Sequence, residues 1–342
     1  MKVVYSDKHR VHAPPYQLFS DGLHPASEVP ERAECILAEI HDRKIGDVIT
    51  PREFGLDTIF DVHDAGLLRF LEGAYTAWNA AGRATETGLI PDTFAMRTLK
   101  GKPEDLVRQA GYYCFETQTP IVAGTWEAAC EAVWCALTAA DLVLEGEQVV
   151  YALCRPPGHH AARDLYGGYC YLNNAAVAAT RLAKSGRVTI LDVDYHHGNG
   201  TQAIFYASEV VQFVSLHADP NSVYPFYSGY ANEKGEGAGE GTTCNFPLPV
   251  GTNDHVYLNA LDRALSVIAD FGPEYLVVSL GVDIYVEDPL STFFVSSDTF
   301  ETIGRRLGAM NFSTLLVQEG GYNLDAIGNC VADVLEGVMT KG

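Results

Sequence analysis

The chain has 342 residues, 47% hydrophobic and 20% charged, enough apolar material for one large domain or two. Its 44 acidic and 23 basic residues leave a formal charge of −21, and without any basic patch this argues against nucleic acid as a partner; the charge suits a cationic ligand, or solubility alone. No stretch reaches the roughly 18 apolar residues of a membrane span, the polar opening argues against a signal peptide, and eight scattered cysteines with no Cys-x-x-Cys pair read as buried free thiols in a reducing cytoplasm.

In chain order, residues 2–5 read as a strand that begins the fold. Residues 29–43 read as a helix with Pro30 in its first turn. Residues 65–80 read as a helix whose Leu67, Leu68, Leu71, Tyr75 and Trp78 make a broad apolar face. Periodicity weakens over 81–119, where glycines and prolines mix with Tyr112, Tyr113 and Phe115; an irregular stretch of that length in a compact enzyme is usually functional or an interface. A long apolar helix follows over 124–145. Strands and helices then alternate: strand 148–154, helix 172–184, strand 188–193, short helix 201–207, strand 210–216, a Gly-, Pro-, Tyr- and Glu-rich loop over 218–243, helix 254–271, strand 275–280, helix 298–309, strand 313–317 and helix 325–338. This order predicts an α/β fold, a single-domain, doubly wound, mostly parallel sheet flanked by helices and spanning 1–342. The segments 81–119 and 218–243 read as insertions around one face, not as domain boundaries.

Ligands of open α/β sheets bind beyond the carboxyl ends of the strands, and four predicted strands end in polar, glycine-containing motifs. Strand 148–154 runs into Arg155-Pro156-Pro157-Gly158-His159-His160, tandem imidazoles in a proline-held turn, suited to proton transfer. Strand 188–193 delivers Asp192, Asp194, His196 and His197 before Gly198 and Gly200. Alternate side chains of extended backbone share a side, so Asp192, Asp194 and His196 face one way, Tyr195 and His197 the other. A carboxylate and an imidazole two residues apart are plausible ligands for a divalent metal such as zinc. Strand 275–280 is followed by Gly281-Val282-Asp283 with Asp288 beyond, and strand 313–317 by Gln318-Glu319-Gly320-Gly321-Tyr322-Asn323. Each motif has a structural alternative: satisfied strand-end histidines, a loop capped by Asp283, a core ring at Tyr322, a plain Gly-Gly turn. Together they supply Asp194, His196 and Asp283 as three metal ligands, a histidine pair as acid and base, and a tyrosine hydrogen-bond donor. Three protein ligands and an open position is the catalytic zinc arrangement, and it predicts metal-activated water attacking a carbonyl.

These motifs, with Gly-Tyr-Cys-Tyr-Leu-Asn-Asn at 168–174, Asp-Val-Asp-Tyr-His-His-Gly-Asn-Gly-Thr at 192–201 and Val-Ser-Leu-His at 214–217, resemble in type and order those of the histone deacetylase superfamily of zinc amidohydrolases, over nearly the whole chain. Within it, the modest length, the 81–119 insertion, and Gly-Tyr-Tyr-Cys-Phe-Glu before a Gly-Thr-Trp-Glu-Ala-Ala helix look most like the bacterial acetylpolyamine amidohydrolases. The resemblance implies an arginase/deacetylase-like fold and one catalytic zinc ion on Asp194, His196 and Asp283. It implies His160 as general base and then general acid, His159 as an electrostatic aid that stays mostly protonated, and Tyr322 as a donor to the oxyanion. Asp192 would orient His159, and Asn199 falls where some relatives have an aspartate partner for the second histidine. One structural potassium ion is implied at Asp192, Asp194, His196, Ser215 and Leu216, and a second near Phe205, Ser208 and Val211.

The resemblance further implies a tunnel for the methylene chain of an acetylated amine, with Tyr169, next to Gly167, on one wall and Phe226 or Tyr224 on the other; without it these rings read equally well as core. Glu104, Asp105 and Glu116 are candidates for meeting a distal ammonium. Gln17 falls where the acetylpolyamine relatives carry a glutamate near the mouth, which would shift preference toward shorter diamines or another acetylated amine. Relatives with this insertion are homodimers. The resulting expectation is a cytoplasmic, homodimeric deacetylase of small acetylated cationic amines such as acetylputrescine, acetylcadaverine and acetylspermidine. The alternative is a protein acetyl-lysine deacetylase of the class II type, whose open mouth the insertion argues against. A scaffold with a degenerate site is opposed by the complete residue set, and two-metal ureohydrolase chemistry by the single three-ligand set.

Overall fold

The computed structural model describes residues 1–83, 85–95 and 98–340; residues 84, 96 and 97 of the 81–119 segment and the last two residues lie outside that description. In chain order the elements are β1 (Lys2–Val4), a hairpin of β2 (Tyr16–Phe19) and β3 (Gly22–Pro25), α1 (Glu31–Asp42), β4 (Asp47–Ile49), α2 (Asp57–Phe60), α3 (Ala65–Ala80), α4 (Ala110–Tyr113), α5 (Thr125–Leu144), β5 (Val149–Ala152), α6 (Asn174–Leu182), β6 (Val188–Asp192), α7 (Asn199–Phe205), β7 (Val211–Ala218), β8 (Thr243–Leu248), α8 (Asp254–Phe271), β9 (Tyr275–Leu280), α9 (Asp298–Ala309), β10 (Ser313–Gln318) and α10 (Ile327–Met339).

Eight strands form one sheet in the order β4-β1-β5-β10-β9-β6-β7-β8, every neighbouring pair parallel. Both faces are covered, so the strands are apolar on both sides. Val188 and Ile190 of β6 pack with α3, α5 and α6, whereas Leu191 and Val193 pack with α1, α8, α9 and α10. Side-chain oxygens cap two of the helices: Asn173 accepts from Ala176 N at the start of α6, and Asn253 from Val256 N at the start of α8.

The chain path positions the site. After β5 it crosses to β6, adds β7 and β8 outward, then returns to lay β9 and β10 between β6 and β5. The four strands that end in polar motifs are therefore neighbours, and their carboxyl ends open on one crevice.

The sheet and its helical layers agree with the expected architecture, and the bounds of α3, α8, β9 and α9 coincide with those read from periodicity. The hairpin β2–β3, β4 and β8 were not anticipated. β4 is three residues long at a sheet edge, too short for a pattern. In β8, Pro247 and a buried Asn245 interrupt the apolar run, which an edge strand tolerates. The 81–119 segment is tied down by bridges from Leu89 to Ile121 and from Cys114 to Tyr166. All eight cysteines are free.

Candidate active site

β6 ends at Asp192, but its alternation carries on through the following turn. Tyr195 packs edge-on against Phe293, and His197 against Phe213 and His217. Asp194 and His196 turn the other way and meet Asp283 from the end of β9. One donor atom from each of the three lies within 4.8 Å of the others. His196 Nδ1 is 3.0 Å from Asp283 Oδ2 and 3.4 Å from Asp194 Oδ1. Backbone amides hold the carboxylates: Gly320 N donates to Asp194 Oδ2 at 2.8 Å, and Tyr195 N to Asp283 Oδ1 at 2.9 Å. Gly320 is required here, because a Cβ at that position would come within 2.7 Å of Asp283 Oδ2.

Both carboxylates are fully buried. Burial and the charge on Asp194 push the Asp283 carboxyl up. Against its own burial, the charges of His159 and His196 hold Asp194 well below the usual carboxylate range. Two buried carboxylates and an imidazole converging on one point form a donor set whose charge and lone pairs fit a divalent metal with nitrogen and oxygen ligands. His159, Cys170 and Glu319 also converge. There, Glu319 Oε2 accepts from the amides of Gly158 and His159, Cys170 Sγ donates to Gly168 O, and His159 Nδ1 faces Asp192, while Glu319 Oε1 is buried without a hydrogen-bond partner.

The tandem histidines follow β5 with ring centroids 4.1 Å apart, yet their environments differ. His159 Nδ1 is 3.0 Å from Asp192 Oδ2, and its Nε2 is 3.8 Å from Asp194 Oδ1. Burial disfavours its charge, but Asp194 and Asp192 outweigh burial and raise it to about 10. His160 Nδ1 lies 2.6 Å from Asn199 Oδ1 at the start of α7. Burial, with the charges of His159 and His196, pushes His160 well below its ordinary value. Since Asn199 Oδ1 is an acceptor, Nδ1 carries the proton and Nε2 of a neutral His160 is left with a free lone pair.

Tyr322 follows Gly320-Gly321 beyond β10, and its backbone N–H donates to Asp288 Oδ2 at 2.6 Å. Burial holds the phenol protonated. Sequence reasoning missed Arg32 here. Its guanidinium sits 4.7 Å over the Tyr322 ring and donates to Gly321 O (2.5 Å), Glu319 O (2.6 Å) and Glu28 Oε1 (2.9 Å). Glu28 also receives Arg155 Nε at 2.8 Å. The i, i+4 spacing of Glu28 and Arg32 was the only available signal, and it reads equally well as a surface pair.

The aromatic residues gather around His160. Gly167 and Cys170 exchange two backbone hydrogen bonds of 3.0 Å across a two-residue loop. Gly168 and Tyr169 in that loop both have positive φ, +59° and +65°, the type I′ geometry. Glycine adopts it freely, but a left-handed tyrosine costs on the order of 1–2 kcal/mol. The Tyr169 ring lies 5.6 Å from Tyr322. Tyr224 lies 5.1 Å from His160, stacks on Phe115 and is followed by Phe226, also left-handed at φ +64° and 44% exposed. Gly167 leaves room for Phe115, whose ring a Cβ would approach to 2.6 Å.

The mouth candidates are distributed differently. Glu104 is exposed, and Asp105 accepts from the amides of Val107 and Arg108. Glu116 is turned inward, accepting from Gln118 N, the Thr119 hydroxyl and Gly168 N. Gln17 is buried, donates to Ser27 Oγ at 2.9 Å, and lines a small cavity with Glu28, Tyr169 and Tyr171. Asp192 and Ser215 are cross-strand partners on β6 and β7, with Leu216 next along the strand. Ser208 N bonds to Phe205 O and Ser208 Oγ accepts from Val211 N, in the turn between α7 and β7.

Residues 24–338 match the family model of the histone deacetylase domain. The chain is 46% identical to acetylpolyamine amidohydrolase 1 of Pseudomonas aeruginosa, with 98% of each chain covered. It is 47% identical to acetylpolyamine amidohydrolase of Mycoplana ramosa, with 99% of each covered. Its structure superposes on crystalline acetylpolyamine aminohydrolase from Burkholderia pseudomallei with a TM-score of 0.91 and 37% identity, covering 99% of this chain and 98% of that one.

Proposed function

The chain belongs to the histone deacetylase domain family, and on that premise we propose that it hydrolyses the amide of small N-acetylated amines, releasing acetate and the free amine. It is a deacetylase, an amidohydrolase acting on amides. The observation that carries the proposed chemistry is the neutral His160, its Nε2 free, beside the convergent Asp194, His196 and Asp283. Acetylputrescine, acetylcadaverine and acetylspermidine are the proposed substrates, in keeping with the names of full-length relatives and with an acidic chain that favours cationic ligands.

A zinc ion held by Asp194, His196 and Asp283 would polarise the acetyl carbonyl and make water acidic enough to attack it. His160 accepts the proton of the attacking water at Nε2 and returns it to the departing amine. Asn199 fixes its tautomer without adding the charge that a carboxylate would bring. His159, held cationic by Asp192 and Asp194, lends positive charge to the developing oxyanion, and the Tyr322 hydroxyl donates to the same oxygen. Tyr169 and Phe226 flank the methylene chain and exclude water from it. The potassium ions proposed at Asp192, Asp194, His196, Ser215 and Leu216 and near Phe205, Ser208 and Val211 would brace the loops that carry these groups. We place the enzyme in the cytoplasm as a homodimer, the 81–119 segment narrowing the mouth. No helix among the described residues is long and apolar enough to cross a membrane.

The test is a side-by-side steady-state assay of the zinc-loaded enzyme on acetylputrescine, acetylcadaverine, acetylspermidine and an acetyl-lysine peptide. Preferential turnover of the free amines is expected. Equal or better turnover of the peptide would replace this reading with a protein deacetylase.

A further inference from the structure

We propose that Thr119 and Glu116, at the far end of the 81–119 segment, are positioning residues that hold the Gly168-Tyr169 turn in its left-handed form and so set the wall of the substrate tunnel. This deepens the function proposed above and rests on Tyr169 lining that tunnel. The two central amides of a type I′ turn point away from the hairpin and need acceptors. Here both acceptors are side chains from one short stretch of the insertion. Gly168 N donates to Glu116 Oε1 at 3.0 Å, and Tyr169 N donates to Thr119 Oγ1 at 2.7 Å. The Thr119 hydroxyl donates its own hydrogen bond to Glu116, whose other oxygen accepts from Gln118 N. Each bond in such a relay polarises the next, so the Tyr169 amide meets an acceptor strengthened by a carboxylate. Thr119 is buried, 1% exposed, and water does not compete for its oxygen.

The surroundings lock the same pair of segments together. Tyr166 N donates to Tyr113 O at 2.7 Å, Phe115 N to Tyr166 O at 3.3 Å, and Tyr171 Oη to Pro120 O at 2.5 Å. The hairpin at 166–171 is thus bracketed on both sides by residues 113–120. Tyrosine resists φ +65°, so without these acceptors the turn relaxes toward negative φ and carries the ring away from Tyr322. Glu116 directs its oxygens to contacts inside the protein, and its effect on substrate choice is exerted through the shape of the wall.

Thr119→Val keeps the shape and removes the acceptor; Thr119→Ser keeps the acceptor. In the full-length zinc-loaded enzyme, Thr119→Val is expected to lower kcat/KM about tenfold. The loss should be equal for acetylputrescine and for an uncharged N-alkylacetamide of the same length, and Thr119→Ser should restore most of it. In a Tyr169→Ala background Thr119→Val should cause little further loss, since the residue it positions is gone. Amide hydrogen exchange reads the clamp independently of turnover. Gly168 and Tyr169 should be protected in the wild type and released in Thr119→Val, with β10 unchanged. A loss confined to the charged amine, a loss that multiplies undiminished on Tyr169→Ala, or unaltered exchange at the two amides would each overturn the proposal. Failure of the wild type to hydrolyse any acetylated amine would overturn the function alone, and the exchange measurement would still decide the clamp.

Discussion

His63 gives the sharpest test of the electrostatics behind the catalytic turn. It is 1% exposed. Its Nδ1 lies 2.9 Å from Ala162 O, and its Nε2 accepts from Asn173 N at 2.9 Å. Only the neutral ring protonated on Nδ1 satisfies both partners, because a proton on Nε2 would face the Asn173 N–H. Burial accordingly lowers its pKa from the ordinary 6.5 to about 4, the Ala162 carbonyl offsetting part of the effect. Between those values the unfolded chain binds the proton and the folded one does not, so this histidine removes stability as pH falls from 6.5 to 4. At about 1.4 kcal/mol per unit the full loss is about 3.4 kcal/mol, of which about 2 kcal/mol falls between pH 6.5 and 4.5. The consequence reaches the site: Asn173 Nδ2 donates to Ala161 O and to Thr201 Oγ1, and Thr201 N donates to His159 O. The perturbation is His63→Gln and the assay is urea unfolding of both proteins across that pH range. Groups that titrate in both proteins cancel in the difference. The variant, whatever its stability at neutral pH, should lose about 2 kcal/mol less than the wild type on acidification. Parallel stability curves would refute the reasoning.

Two further outcomes are expected. Tyr322→Phe should lower kcat by about 10²–10³ while elemental analysis finds its metal content unchanged, because it removes one oxyanion donor and no ligand; full turnover in the metal-loaded variant would remove Tyr322 from the mechanism. Arg32→Ala strips the donor from Gly321 O, leaves Glu319 O only the long bond from Gln318 Nε2 (3.4 Å), and leaves the Glu28 carboxylate Arg155 as its one arginine partner, so chemical unfolding should report a loss of about 3–5 kcal/mol, and a loss under about 1 kcal/mol would show that these buried groups find other partners.

The strand-end motifs were legible because each is local. An apolar run marks a buried strand, and the polar residues two apart that follow it project together beyond its carboxyl end; Asp194 and His196 needed only Asp283 to be brought alongside. The alternation of strands and helices carried the fold class for the same reason. Residues that act across long separations left no such trace. Arg32 reads as one more polar residue of a helix, and its role appears only when the loop after β10 folds over it. Thr119 and Glu116 lie in the stretch with the weakest periodicity, and their partners Gly168 and Tyr169 are some 50 residues away in sequence.

The tandem histidines separate the two kinds of information most clearly. Their side chains are identical and adjacent, and the Pro-Pro-Gly turn before them marked the pair as a place for proton transfer. Nothing local assigns a charge to either. Asp194 and Asp192, 35 and 33 residues beyond His159, raise one ring, while the neutral Asn199, 39 residues beyond His160, only partly offsets the burial and cationic neighbours that lower the other. Residue type specifies which proton equilibria exist. Burial and the groups within a few ångströms specify where each one lies, and those are consequences of how β5, β6 and α7 pack together.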